Sequence, residues 1–129
     1  MNKEQINKLS GIILDSSIEV HKILGPGLLE SVYEICLCKE FDLRGVRYKR
    51  QVTLPIEYKG EELDADFRID LLVGDEIIIE LKSVEILHPV FEAQLLTYLK
   101  LADKRLGLLI NFNVPRLIDG FKRMINGYF

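Results

Sequence analysis

Asp70, Glu80 and Lys82 are the residues whose types and spacing could do chemistry in this chain. They lie in "IDLLVGDEIIIELKSV" (69–84), where two apolar runs flank a turn at Val73-Gly74-Asp75-Glu76. Glu80 and Lys82 are two apart on a strand, so their side chains share a face. Whether Asp70 joins them depends on register. A two-residue loop at Gly74-Asp75 pairs residues whose numbers sum to 149 and leaves Asp70 and Glu80 on different faces. A three-residue loop, or a one-residue bulge, changes that sum to 150 and sets Asp70 opposite Glu80. Leu72 then faces Ile78, while Ile69, Leu71 and Val73 form the other face. The second register is the one predicted near Asp70.

Two carboxylates about 4–5 Å apart across a strand pair repel each other and favour a shared hard cation. Oxygen donors without histidine suit Mg²⁺ or Mn²⁺ better than zinc. A neighbouring lysine can hold an attacking water or stabilise charge developing on a phosphoryl group. The set suits hydrolysis of a phosphodiester. The Glu-x-Lys spacing is not distinctive by itself, because Glu57-Tyr58-Lys59 shares it and leads into the turn "KGEE". Position distinguishes Glu80-Leu81-Lys82: it follows "IIIE" in a strand with the apolar content of a central one, where an unpaired carboxylate costs several kcal/mol. A structural Asp70–Lys82 or Glu80–Lys82 ion pair is the alternative reading.

The elements that must hold these residues are legible from periodicity. Ile6, Leu9, Ile13, Val20 and Leu24 recur at helical spacing over 5–24, and "GPG" at 25–27 stops that helix. A second helix is predicted from Leu28 to Arg44, with Leu29, Val32, Cys36 and Leu43 among its apolar positions and Gly45 at its end. "VRYKRQVTLPIEY", "ELDADFRIDLLV" and "EIIIELKSV" read as three strands joined by tight turns. "HPVFEAQLLTYLKLAD" repeats Val90, Ala93, Leu96 or Thr97, and Leu101 at helical spacing. "RLGLLINFN" has the nearly all-apolar content of a strand covered on both faces. "VPRLIDGFKRMING" closes the chain as an amphipathic segment with Leu117, Phe121, Met124 and Ile125, predicted as a helix. Three strands in a meander, then a right-handed helical crossover, give a four-stranded mixed α/β sheet flanked by helices.

At 129 residues the chain is expected to form one domain over 1–129. No apolar run reaches membrane-spanning length, and "MNKEQINKLS" lacks the pattern of a secretory signal, so a cytoplasmic location without membrane attachment is expected. The cysteines, Cys36 and Cys38, point about 200° apart on a helix and cannot bridge each other. They read as small hydrophobes. With a net charge of −3, any nucleic-acid binding must rest on a local patch. The candidates are Arg44, Arg47, Lys49 and Arg50, then Lys100, Lys104 and Arg105, then Lys122 and Arg123.

"GPGLLESVYE" contains Gly27-x-x-Glu30-x-x-Tyr33 and thereby resembles the GxxExxY protein family, placed in the PD-(D/E)XK nuclease superfamily. The resemblance continues in order through "RIDLLV", "IIIELKSVE", "AQLLTYLKL" and "LGLLINFN". It implies an αβββαβ core, with an extra N-terminal helix here. It also implies that Asp70 and Glu80 bind a metal, Mg²⁺ or Mn²⁺, with the Leu81 carbonyl as a further ligand. Lys82 is similar to the catalytic lysine, and Glu30 to the acid supplied by the helix before the sheet. Gln94 and Tyr98, at i and i+4, resemble a Gln-x-x-x-Tyr feature that orients the site or touches the substrate backbone. Tyr33 reads as a packing residue with a hydroxyl tether, His21 as structural, and Gly25 and Gly27 as turn residues.

Two functions follow. One is a metal-dependent nuclease acting on DNA or RNA. The other is a catalytically silent module of the same fold that binds nucleic-acid ends or a protein partner, a homodimer being one possible assembly.

Overall fold

Asn2 starts the first helix by a reciprocal cap. Its side chain accepts from the Gln5 N–H (2.8 Å), and the Gln5 side chain accepts from the Asn2 N–H (2.9 Å). In a computed structural model describing residues 1–129, α1 then runs Lys3–Leu24 and α2 Glu30–Arg44. Strands β1 (Tyr48–Tyr58), β2 (Glu61–Val73) and β3 (Ile77–Lys82) follow, then α3 (Pro89–Ala102), β4 (Leu106–Asn111), a 3₁₀ turn (Leu117–Gly120) and β5 (Phe121–Ile125). The sheet order is β1-β2-β3-β4-β5, antiparallel except for the parallel β3–β4 pair made across α3.

The C-terminal prediction needs correcting. Residues 114–127 form no α-helix, and the sheet has five strands, not four. All six residues of β4 are buried, so leaving one of its edges unpaired would strand main-chain polar groups. β5 covers that edge, pairing from Ile110↔Phe121 to Leu106↔Ile125. Gly120 marks the approach: a Cβ there would collide with the Asn111 carbonyl oxygen.

Two apolar clusters sandwich the sheet. On one side Ile6, Ile13, Val20, Tyr33, Leu37 and Phe41 from α1 and α2 meet Leu71, Ile79, Leu81 and Leu108. On the other, Leu95 and Leu99 of α3 meet Leu72, Ile78 and Leu109. Gly107 on β4 admits Leu95, whose side chain would lie 2.9 Å from an added Cβ. The helical faces are therefore rotated from those predicted. α3 buries Leu95 and Leu99 rather than Val90, Ala93 and Thr97, and α2 buries Tyr33, Glu34, Leu37, Cys38 and Phe41 while Leu29, Val32 and Leu43 face solvent. Both helices are apolar on more than one side, so periodicity could not choose.

The β2–β3 connection is the three-residue turn Gly74-Asp75-Glu76. Its first two residues adopt φ of 60° and 57°, which glycine and aspartate tolerate best. The turn sets Val73↔Ile77, Leu72↔Ile78 and Leu71↔Ile79, pairs that sum to 150. The predicted register is adopted as far as Leu71, and the ladder ends before Asp70.

Candidate active site

Past Leu71↔Ile79 the ladder between β2 and β3 stops, and two carboxylates take its place. Glu80 accepts from the Asp70 main-chain N–H (2.8 Å), and Asp70 accepts from the Leu81 main-chain N–H (2.8 Å). Each acid replaces a carbonyl of the opposing strand, so both carboxyl groups lie in the gap between strands. The Leu81 N–H points into this gap. Its carbonyl lies on the same side, because a strand residue directs both main-chain groups one way.

Asp70 reaches the gap because β2 changes face there. Leu71 and Val73 pack with α1 and α2, but Ile69 joins Leu72 in the cluster beneath α3. Phe67 also lies on the α3 side, 5.2 Å from the Tyr98 ring. The predicted grouping of Ile69 with Leu71 and Val73 therefore fails at Ile69, where strict alternation breaks. The partner strand breaks at the same place. Gln51 is skipped between Arg50↔Leu71 and Val52↔Ile69 and adopts a left-handed φ of 51°. Its side chain donates to Glu34 (2.7 Å), and Arg50 donates to the other Glu34 oxygen (2.7 and 3.1 Å). Glu34, buried on α2, thus pins the irregular turn of β1 that lies beside Asp70.

The electrostatics follow from this crowding. Glu80 is only 8% exposed. Burial, and then the Asp70 charge, push its carboxyl up to about 8 against the Asp70 N–H bond and Lys82. Asp70 is also raised, first by burial and then by the Glu34 charge, while the Leu81 N–H and Lys82 oppose. Each carboxyl therefore favours its protonated form beside the other. Tyr98 is raised first by burial and then by the negative charge of Glu80 and Asp70.

Lys82 shares the α3-facing side of β3 with Glu80, and its ammonium stands 4.4 Å from the centre of the Phe91 ring. Glu30 opens α2. Partial desolvation raises its carboxyl, the Lys82 charge lowers it and the Asp70 charge raises it. Gln94 does not join them: it is exposed and its side chain makes no hydrogen bond.

The Gly27-x-x-Glu30-x-x-Tyr33 spacing acquires a structural meaning. Gly27 takes a φ of 92° in the turn. The Tyr33 hydroxyl accepts from the Leu28 N–H (3.1 Å) and donates to the Gly25 carbonyl (2.6 Å), with its buried ring stacked 4.4 Å from Phe112. Ser83, next to Lys82, donates to the Leu28 carbonyl (2.6 Å). Leu28, two residues before Glu30, is thus held at its N–H from α2 and at its carbonyl from the residue after β3. Asn111 holds the exit of β3, accepting from the Val84 N–H (3.1 Å) and donating to its carbonyl (3.0 Å). His21 binds the Val114 carbonyl (2.8 Å), as befits a structural residue.

Glu34, Gln51, Ser83 and Asn111 escaped sequence reasoning. Asn111 had a signal, a polar residue ending an apolar strand. Glu34 had a weaker one, its position four residues after Glu30.

No group of three or more His, Cys, Asp or Glu side chains is arranged to hold a metal ion. The donors in the gap nevertheless fit a hard cation: two carboxylates are forced together at the cost of a raised pKa, with a main-chain carbonyl beside them.

A five-stranded mixed sheet between helices, with paired acids where β2 and β3 part, is consistent with a nuclease fold. The chain belongs to the PD-(D/E)XK nuclease superfamily, whose family model matches residues 7–124. No curated protein sequence matches it. Among solved structures it is similar to SSO0001, with a TM-score of 0.50 at 14% identity over 94% of this chain and 79% of that one. At that identity the likeness concerns fold alone.

Proposed function

We propose that the protein is a Mg²⁺- or Mn²⁺-dependent nuclease whose centre is the strand gap between Asp70 and Glu80. The observation that carries this reading is the pair of interlocked carboxylates, with Lys82 two residues on and facing the same way as Glu80. Asp70, Glu80 and the Leu81 carbonyl would hold the cation, which supplies charge neutralisation at the scissile phosphate and a more acidic water. Lys82 orients the attacking water and stabilises the charge that develops on the phosphoryl oxygens. Glu30 would complete or tune the acidic cluster from the start of α2. Tyr98 lines the α3 side of the acids, and Gln94, one turn earlier on α3, is free to meet the substrate backbone.

Metal-dependent cleavage of single strands, duplexes, flaps and junctions, as DNA and as RNA, tests this. Activity should disappear in Asp70→Asn and Lys82→Ala. Activity that survives both substitutions would belong to a contaminant and end the proposal.

One observation favours a binding module without turnover: both acids already satisfy main-chain N–H groups, so loading a cation must release them. Calorimetry separates the two readings. A saturable Mn²⁺ site lost in Glu80→Ala supports the enzyme, and no binding above background supports the module.

A further inference from the structure

The outer side of α2 is apolar and has no cover within the chain. Ile35 is 57% exposed and Leu43 69%, and Ile23, at the end of α1 beside them, is 71% exposed. These side chains border a groove between α1 and α2, floored by Val20, Leu24 and Cys36. Val32, Cys36, Lys39 and Leu43 follow one another at spacings of four, three and four. That is the spacing of a helix that packs against another helix. The opposite side of α2 already serves the core, so burial within the chain does not account for this second stripe.

Lys39 and Glu40 sit side by side on the rim of the groove. Lys39 makes no ion pair, and Glu40 is paired only along its own helix, with Arg44 at 3.0 Å. A surface carrying adjacent opposite charges in the middle of an apolar stripe is complementary to itself after a two-fold rotation.

We propose that this face is a homodimer interface in which two α2 helices pack antiparallel about an axis between Lys39 and Glu40. Each Lys39 then meets the partner's Glu40, and each Leu43 enters the partner's groove against Ile35 and Cys36. The two α1–α2 pairs together form a four-helix layer. A 15-residue helix is about 22 Å long. With the last turn of α1 alongside, such a face has the extent of a small specific interface, on the order of 600–800 Å² per copy.

Sedimentation of the full chain from about 1 to 100 µM tests this, in the range expected for an interface of that size. The expected species is a dimer of the 14.9 kDa chain. Leu43→Glu should raise the dissociation constant more than tenfold, and because Leu43 is exposed the variant keeps the wild-type circular dichroism and melting profile at monomer concentrations. Lys39→Glu should weaken association several-fold by facing Glu40 with a like charge. The swap Lys39→Glu with Glu40→Lys should restore association, since both copies exchange signs together. A wild-type chain that stays monomeric throughout leaves the face to some other occupant and overturns the proposal. So does a dimer that Leu43→Glu leaves intact, or a charge swap that fails to rescue.

Discussion

Replacing Glu80 with glutamine tests the crowding of the two acids directly. In the folded chain its carboxyl titrates at about 8 against an ordinary value of 4.5, because it is buried beside Asp70. A raised acid binds its proton more tightly when folded, so its contribution is most favourable below the unfolded value and is lost as pH climbs through the folded one. Between about pH 5 and pH 8 the wild-type chain should therefore lose stability. At pH 7 the linkage amounts to on the order of 3 kcal/mol, an upper figure given the coupling to Asp70. Glutamine keeps an oxygen for the Asp70 N–H and offers its own N–H to the Asp70 carboxylate, imitating the protonated acid without titrating. Urea unfolding of both chains at pH 5, 6, 7 and 8 in chelator should show a steep decline for wild type and a much flatter line for Glu80→Gln. Glu80→Gln should be the more stable chain at pH 8. Adding Mn²⁺ should lift the wild-type values most at high pH, where the carboxylates shed their proton to take a cation. A wild-type chain more stable at pH 8 than at pH 5 without metal, or equal slopes in the two chains, would refute the reasoning.

Tyr33→Phe keeps the stack on Phe112 but frees the Leu28 N–H and the Gly25 carbonyl, while the Ser83 bond to the Leu28 carbonyl remains, and should cost about 1–3 kcal/mol in denaturant melts for two lost hydrogen bonds. The same substitution should lower cleavage further than its stability loss explains, because the turn that leads into Glu30 is no longer tied down. Gly120→Ala should detach β5 from β4, seen as lost hydrogen-exchange protection at Lys122 and Met124, since its Cβ has no room beside Asn111. Gln51→Ala should destabilise more than Gln51→Gly by roughly 1 kcal/mol in urea melts, because both lose the Glu34 bond but only glycine relieves the left-handed φ. Lys82→Met should reduce cleavage at least ~100-fold while leaving the Mn²⁺ isotherm intact, which separates water activation from metal holding.

Much of the fold is written locally. The Asn2–Gln5 cap, the GPG break, the turn at 74–76 and the apolar run of β3 each act within a few residues, and they supply the element order and the catalytic candidates. Asp70, Glu80 and Lys82 could be singled out because charge in an apolar strand is costly wherever that strand is placed. Tertiary structure decided what depends on partners distant in sequence. β5 is a strand because the far edge of β4 needs hydrogen bonds, a demand invisible in "FKRMI". Ile69 leaves the face of Leu71 because β1 is bent at Gln51 under the hold of Glu34, a residue on another element. The side of α2 that meets the core was settled by which of its apolar stripes fits the sheet, and the other was left for solvent or a second chain. Sequence alone determined which groups could do the chemistry. Only the folded sheet, by parting β2 from β3 after Leu71 and Ile79, turned two of them toward each other, because a carboxylate takes the place of a ladder carbonyl only where the opposing strand has moved away.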